Sequence, residues 1–175
     1  MKEQPLEPKE PREKPERDEM EAGKDLIIEK LEEASDDLDD QEQMFIDMFE
    51  VIQARVHQQA IDNGWWEDYH DIRAAINNWG VEVCAHNDQV FQKAWQLSKI
   101  ALMHSELSEC VEGIREKIPT PDQHCSEFTQ QEIEIADVII RAMDLAQGFD
   151  WHIAEAIIAK MRYNATRPYK HGKLV

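Results

Sequence analysis

The chain has 175 residues, in which 37 Asp and Glu side chains outnumber 19 Lys and Arg and leave a net charge of −18. This excess of acids excludes a protein that binds nucleic acid through a broadly basic surface. The apolar runs fall far short of the roughly 20 residues needed to span a bilayer, and the N-terminus lacks the features of a signal or transit peptide. With three cysteines and no C-x-x-C motif, a disulfide framework is not expected. The composition therefore predicts a soluble, cytoplasmic protein without a membrane or nucleic-acid partner.

The first 40 residues differ in composition from the rest of the chain. Residues 1–24 contain four of the seven prolines and almost no apolar side chains, and up to Asp40 the acids outnumber the bases by sixteen to seven. Such a segment buries too little surface to offset the entropy of ordering it. We therefore expect residues 1–40 to be a disordered acidic arm, either a solubilising extension or a tail that binds a partner. Residues 41–175 are expected to form the folded domain.

From Gln41 onward, apolar residues recur at steps of three and four, which is the period of an amphipathic helix. This pattern predicts four main helices, at about 41–63, 87–117, 129–148 and 150–167. Thr129 and Glu132 have the spacing of a capping box at the start of the third helix, and Asp150 is the expected cap of the fourth. Residues 64–86 and 118–128 are expected to be loops. Because no segment alternates with the period of a strand, the predicted fold class is all-α, a helical bundle.

Two of the predicted helices carry carboxylates on surfaces that are otherwise apolar. Glu106 and Glu109 are three residues apart in the second helix, and Glu134 and Asp137 have the same spacing in the third. Residues at this spacing lie along one face of a helix. Carboxylates within apolar surface need a compensating base or metal ion. If the two helices pack antiparallel, the four carboxylates enclose a space suited to Mg²⁺ or Mn²⁺.

These acids have two other interpretations. Either stripe alone is compatible with an ordinary amphipathic helix whose carboxylates face water, and their occurrence on two adjacent helices favours the metal site. A ferritin-like di-iron centre is disfavoured because it requires Glu-x-x-His pairs, which neither stripe has. Arg141 is expected to neutralise Asp137 or Asp144 along its own helix.

The last part of the chain has the opposite charge. No acid follows Glu155, and Lys160, Asn164 and Arg167 share one face of the fourth helix. These side chains are suitable donors to phosphate oxygens, and Lys173 is a weaker candidate. Basic residues near a helix C-terminus can also simply complement the helix dipole. Opposite a metal site, we interpret the set as binding the phosphates of a triphosphate.

Trp65 and Trp66 are candidate base-binding residues. They follow Gly64 in a stretch expected to be a loop. Indole rings stack well on nucleobases, which makes this pair a candidate for contact with a base.

In their order along the chain, these motifs resemble the MazG-like all-α nucleoside triphosphate pyrophosphohydrolases over about residues 45–173. The family pattern is Glu-x-x-Glu, an interval of a few tens of residues, Glu-x-x-Asp, and then a helix with Lys, Asn and Arg. The matching positions here are Glu106 and Glu109, then Glu134 and Asp137, then Lys160, Asn164 and Arg167, closing with His171-Gly172-Lys173. The segment 133–146, which includes Arg141, is especially similar to the metal-binding helix of the family.

The resemblance implies hydrolysis of a (deoxy)nucleoside triphosphate to the monophosphate and pyrophosphate, with a house-cleaning role in nucleotide pools. The implied Mg²⁺ ligands are Glu106, Glu109, Glu134 and Asp137. Either Glu106 or Glu109 would act on the attacking water, and the phosphates would be held by Lys160, Asn164, Arg167 and, more weakly, Lys173. A homo-oligomer, either a dimer or a tetramer, is also implied.

The sequence leaves several points open. Ser105 stands where many relatives have a further acid, which leaves the number of metal ions and the identity of the general base undecided. One alternative function is hydrolysis of another pyrophosphate-bearing nucleotide, such as phosphoribosyl-ATP. Another is a non-catalytic helical assembly protein whose acidic arm recruits a partner.

Overall fold

The computed structural model describes residues 38–78, 81–115 and 120–168, without the side chains of residues 81–85. The chain divides into two units, Met1–Asp40 and Gln41–Val175. Apart from Asp40, the first residue of the first helix, all residues of the described helices belong to the second unit. The predicted disorder of the acidic arm falls on residues that are almost all outside the described ranges, and it stays a prediction.

Within the described ranges the chain forms five α-helices and no strands. The helices are α1 (Asp40–Asp62), α2 (Glu67–Asn77), α3 (Val81–Arg115), α4 (Gln130–Gly148) and α5 (Ile153–Ala165). Pro121 and Thr129 form an isolated antiparallel bridge within the connection from α3 to α4. The all-α prediction is thus confirmed. Among the described helices, none has both the length and the apolar character needed to cross a membrane.

The prediction that residues 64–86 form a loop is wrong. It contains α2 and the first turns of α3, which begins at Val81 and not at Asn87. Helix α2 buries only Tyr69 and Ile76, so its apolar pattern is too sparse to identify from spacing alone. Val81 and Val83 are β-branched, and such residues have a lower propensity for helix. They can still form the first turn of α3, because adding a turn to an existing helix costs far less free energy than nucleating a helix.

The two predicted helix caps have different outcomes. The capping box is confirmed, because the carboxylate of Glu132 accepts a 2.8 Å hydrogen bond from the backbone N–H of Thr129 while the Thr129 hydroxyl accepts one from the Glu132 N–H. The prediction that Asp150 caps the last helix is wrong. Asp150 has a left-handed backbone with φ of 52°, and α5 begins three residues later, after His152.

Helix α4 packs antiparallel to α3. Near the start of α4, the carbonyl of Gln131 lies 3.8 Å from the thiol of Cys110. Near its end, Asp144 accepts a 3.1 Å hydrogen bond from Lys99. Residue numbers therefore fall along α3 as they rise along α4. This is the antiparallel arrangement on which the predicted carboxylate site depends.

Helix α1 packs along another side of α4, again antiparallel. Gln53 donates a 3.1 Å hydrogen bond to Gln147, and His57, one turn further along α1, contacts Asp144 at 2.8 Å. Helix α4 therefore packs against both α1 and α3, while Ile135, Ile139 and Ile140 on α4 stay exposed.

Helix α5 returns along α1 in the opposite direction. Near the C-terminal end of α5, the guanidinium of Arg162 pairs with the carboxylate of Glu42, at the beginning of α1. Near the N-terminal end of α5, Ala154 and Glu155 share a cleft with Gln53, in the middle of α1. The C-terminal end of α5 thus lies beside the N-terminal end of α1.

Candidate active site

Three carboxylates converge where α3 and α4 pack together. Glu106 of α3 and Glu134 and Asp137 of α4 each present an oxygen atom, and these atoms all lie within 4.8 Å of one another. Glu106 and Glu134 are both 8% exposed, and Asp137 is half-buried. The structure therefore brings together three of the four carboxylates that the sequence selected.

The fourth carboxylate, Glu109, lies at the solvent side of this cluster. It is exposed, and its carboxylate accepts a 3.4 Å hydrogen bond from the hydroxyl of Ser105. Its charge still acts on the cluster, because it contributes to raising the pKa of Glu134. Glu109 therefore lies next to the buried carboxylates without being enclosed with them.

The pKa of Glu134 is raised above its ordinary value of 4.5. Burial is the largest cause, because removing the carboxylate from water disfavours its charged form. The negative charges of Glu109 and Glu106 add to the effect, and a hydrogen bond from Gln130 opposes it. The cluster thus has negative charge that its protein surroundings do not fully compensate.

Arg141 supplies a positive charge to the cluster. Its Nη2 atom lies 2.7 Å from Oε1 of Glu106, on the neighbouring helix. The expectation that Arg141 pairs with Asp137 or Asp144 is therefore wrong. The guanidinium pairs instead with Glu106 across the helix interface, and the Asp144 carboxylate has other partners. The Nε atom of Arg141 is buried and has no hydrogen-bond partner within the described part of the chain. Glu106 thus has a counter-charge, whereas no ion pair joins Glu134 or Asp137 to a base within the described part of the chain.

Asp144 anchors the adjacent part of the helix interface. It is 7% exposed and accepts hydrogen bonds from Trp66 Nε1 at 2.8 Å and from Lys99 Nζ at 3.1 Å. The Nδ1 atom of His57 contacts the same carboxylate at 2.8 Å. Sequence reasoning missed His57 and Lys99. Lys99 left a usable signal, because it is the only Lys, Arg, Asp or Glu between Lys93 and Glu106, where the acidic stripe begins.

An open cleft adjoins the carboxylate cluster. It has a volume of about 310 Å³ and lies between α1, α3 and α4. Asp137 and Arg141 belong to both the cluster and the wall of the cleft, and Lys99 reaches the wall from α3. The other lining residues are Val56, Gln59, Ala60, Asn63, Trp65, Leu102, Ile140 and Asp144. A ligand in this cleft would meet two cationic side chains beside the carboxylates.

The two candidate base-binding tryptophans occupy different environments. Trp65 lines the cleft and is 61% exposed, so one face of its ring is free to contact a ligand. Trp66 is 1% exposed and packs edge-on against Tyr69, with ring centroids 5.1 Å apart. Trp66 therefore lies in the core, where its enclosed indole has no free face on which a base can stack.

The candidate phosphate-binding residues do not line the cleft of their own chain. Lys160, Asn164 and Arg167 are all exposed, and the charged ends of Lys160 and Arg167 lie 4.8 and 5.9 Å from the ring centroid of Tyr163. Lys173 lies outside the described residues. Of this set, the structure therefore does not bring Lys160, Asn164 or Arg167 to the cleft beside the carboxylates.

Comparisons with protein-family models, with curated proteins and with solved structures found no match to this chain. The resemblance to MazG-like pyrophosphohydrolases thus rests on the sequence motifs.

Proposed function

We propose that this chain hydrolyses a (deoxy)nucleoside triphosphate to the monophosphate and pyrophosphate, in a reaction that depends on Mg²⁺. The observation that carries the proposal is the convergence of Glu106, Glu134 and Asp137 beside an open cleft. Because Glu106 lies on α3 and the other two acids lie on α4, only the packing of α3 on α4 produces the cluster.

The composition of the cluster fits a hard divalent cation. Its potential ligands are carboxylate oxygens, which Mg²⁺ prefers, and two of the three residues are nearly enclosed by protein. The raised pKa of Glu134 reflects burial and repulsion among neighbouring acids, and a bound cation would relieve the repulsion. When bound there, the ion would neutralise phosphate charge and increase the electrophilicity of the phosphorus.

Glu109 is the residue best suited to act on the attacking water. Glu106 is already paired with Arg141, whereas Glu109 is exposed at the edge of the cluster and is held by Ser105. Its carboxylate would accept a proton from the water as the oxygen forms its bond to the α-phosphorus. The bridging bond from the α-phosphorus to the pyrophosphate group would break, and pyrophosphate would leave with the electron pair.

The cleft provides groups for the rest of the substrate. Arg141 and Lys99 are donors to negatively charged phosphate oxygens, and both lie in the wall of the cleft beside Asp137. Trp65 provides an exposed ring that would stack on the base. The nucleoside would therefore occupy the cleft while its triphosphate extends toward the carboxylates.

The proposal is tested by analysing the products formed from each common NTP and dNTP, with Mg²⁺ and with EDTA. We expect monophosphate and pyrophosphate from at least one substrate, only with the metal. Asp137→Asn and Glu109→Gln should each reduce turnover by about 100-fold or more, as expected when a metal ligand or general base is lost. Glu112→Gln is the matched control, because Glu112 is an exposed acid one turn further along the same helix.

Two results would contradict the proposal. Release of diphosphate and inorganic phosphate would show that the attacked phosphorus is not the α-phosphorus. Failure of folded, Mg²⁺-supplied protein to turn over any nucleotide would favour the alternative of a non-catalytic assembly protein.

A further inference from the structure

A second cleft lies between the middle of α1, the end of α4 and the start of α5, and it has a volume of about 310 Å³. Clefts of this size hold small ligands. It shares no lining residue with the cleft beside the carboxylate cluster, and no step of the proposed hydrolysis uses it. A ligand in this second cleft is therefore independent of the proposed function.

Gln53 is a buried polar residue in the wall of the second cleft. It is 7% exposed, and its amide nitrogen donates a 3.1 Å hydrogen bond to Gln147, which also lines the cleft. Its Oε1 atom is buried and has no hydrogen-bond partner in the described part of the chain. A buried oxygen without a donor destabilises a fold, and the terminal torsion of a Gln side chain turns easily. The Gln53 oxygen therefore favours a ligand that carries a hydrogen-bond donor.

The charges around the second cleft favour a cationic ligand. Glu50 and Asp150 are exposed lining residues and form no ion pair within the described ranges. Glu155 also lines the cleft, and its carboxylate lies 3.5 Å from Nδ1 of His152. No Lys or Arg of the described residues belongs to the wall. The start of α5 contributes the positive end of a helix dipole, but Glu155 lies in the first turn and opposes it.

The spacing of these acids distinguishes an extended cation from a metal ion. Among the described residues, the only group of three or more Asp, Glu, His or Cys side chains whose ligand atoms all lie within 4.8 Å of one another is Glu106, Glu134 and Asp137. The acids of the second cleft therefore do not converge on one point as metal ligands do. Separated negative charges match a ligand whose cationic groups are themselves separated, such as a carbon chain with an amine at each end.

An aromatic side chain offers such a ligand a further contact. Trp151 lines the second cleft and is 40% exposed. An ammonium group is attracted to the face of an indole, and a methylene chain gains from burial against the same ring. The ring therefore suits both the charged and the apolar parts of an alkylamine.

We propose that the second cleft binds a linear diamine or polyamine. Each ammonium group has three N–H donors and no acceptor, which matches a wall of carboxylates and one unpartnered amide oxygen. One ammonium group donates to Oε1 of Gln53, another pairs with the carboxylates of Glu50 and Asp150, and the methylene chain lies against Trp151. The site requires neither the carboxylate cluster nor turnover of a nucleotide.

Isothermal titration calorimetry of the full chain with putrescine and with spermidine tests the proposal. The titrations use about 0.15 M salt, which screens the general attraction of a polycation to a chain of net charge −18. We expect saturable binding of one amine molecule per chain. The uncharged diol with the same carbon chain as putrescine should not bind, because it cannot pair with the carboxylates.

Substitutions in the wall locate the binding. Gln53→Met removes the unpartnered oxygen with little change in volume and should weaken amine binding by about tenfold or more, while the melting temperature without amine stays the same or rises. Glu50→Gln combined with Asp150→Asn removes two carboxylates and should also weaken binding by about tenfold. Asn accepts the left-handed backbone of position 150 as readily as Asp does.

A second double variant is the matched control. Glu112→Gln combined with Asp137→Asn removes the same number of charges from the same residue types, at positions that do not line the second cleft. It should bind putrescine and spermidine as the wild type does. Because Asp137 belongs to the carboxylate cluster, this control also shows whether the amines bind there instead.

Three results would overturn the proposal. The first is the absence of saturable binding of either amine at millimolar concentration. The second is weakening in the control double variant that equals or exceeds the weakening in the cleft double variant, because binding would then follow net charge or the cluster. The third is undiminished binding by both the Gln53 and the Glu50–Asp150 variants. Thermal melts establish that each variant is folded, and an inactive protein that binds amines would contradict only the proposed hydrolysis.

Discussion

The guanidinium of Arg141 lies 2.7 Å from the carboxylate of Glu106, so that α4 supplies the counter-charge for a nearly buried acid on α3. The same carboxylate is within reach of Glu134 and Asp137. Arg141 therefore occupies the position from which it can hold the cluster together when no cation is bound there. A cation at the cluster would compete with Arg141 for Glu106.

Replacement of Arg141 should make stability depend more strongly on metal. Arg141→Gln leaves the Glu106 carboxylate without its ionic partner, and we expect the free energy of unfolding in EDTA to fall by about 1–3 kcal/mol, less than for a fully buried pair because Arg141 is 35% exposed. Millimolar Mn²⁺ should restore more stability to this variant than it adds to the wild type. Urea titrations with and without Mn²⁺ measure both effects.

Arg141→Lys is the control for this prediction, because it keeps the charge but not the planar guanidinium. It should lose less stability than Arg141→Gln in EDTA. An equal loss in both variants that Mn²⁺ does not change would show that Arg141 acts through packing alone.

Glu134 should produce a specific pH dependence in the metal-free protein. Its folded-state pKa is raised above the ordinary value of 4.5, chiefly by burial. Its contribution to stability is therefore fully present below about pH 4.5 and is lost as the pH rises through the folded-state pKa. Glu134→Gln should remove this part of the pH dependence, so that in EDTA at neutral pH the variant is more stable than the wild type.

Glu132 provides the contrast for this measurement. Its pKa is lowered, first by the backbone N–H of Thr129 and then by the Thr129 hydroxyl. Its stabilising contribution is therefore present above its unfolded-state pKa and is lost as the pH falls through the folded-state value. Unfolding curves from pH 3 to pH 8 should thus differ from the wild type in opposite directions for Glu132→Gln and Glu134→Gln. The same direction for both would contradict the assignment.

Gly148 is expected to tolerate no side chain. A β-carbon added there would overlap the six-membered ring of Trp66, which is enclosed on its other sides. Gly148→Ala should lower the free energy of unfolding by about 1–3 kcal/mol or more, because overpacking a rigid aromatic forces backbone or ring to move. The midpoint of thermal unfolding reports the loss.

Gly113→Ala is the matched control on α3. The added β-carbon would meet the flexible side chain of Gln131 at 3.4 Å, an ordinary contact, and alanine has a higher helix propensity than glycine. We expect stability to be unchanged or to rise by up to about 1 kcal/mol. A loss at position 113 equal to that at position 148 would mean that glycine is required at both positions for a reason other than the Trp66 contact.

The buried Asp144 should be among the most sensitive positions in the fold. Asp144→Asn keeps the shape but removes the charge that faces Lys99, whose side chain is 11% exposed. Loss of one partner of a buried ion pair costs about 3–5 kcal/mol, since it leaves the other charge uncompensated. Asp144→Asn combined with Lys99→Met should recover part of that loss. Denaturant titrations of the two single variants and the double variant measure the coupling, and purely additive effects would contradict it.

Local patterns in the sequence identified much of the fold correctly. The spacing of apolar residues predicted α1, most of α3, α4 and α5, and the Thr129–Glu132 pair predicted how α4 begins, because these features depend on neighbours within one or two turns. Helix α2 was missed, because it is stabilised by a few residues such as Tyr69 that pack against other helices. The prediction that Asp150 caps the last helix was also wrong. Asp is a common cap residue, but this preference does not predict the left-handed backbone that Asp150 adopts.

The candidate site, like the fold, was predicted only in part from the sequence. The sequence by itself selected four carboxylates, Glu106, Glu109, Glu134 and Asp137, from their helical spacing on apolar surface. Only the tertiary structure decided that Arg141 pairs across the interface with Glu106, that Trp66 is enclosed in the core, and that the C-terminal end of α5 lies beside the start of α1. The physical reason is that helical periodicity determines which face a residue occupies, whereas the packing of one helix on another determines which faces meet.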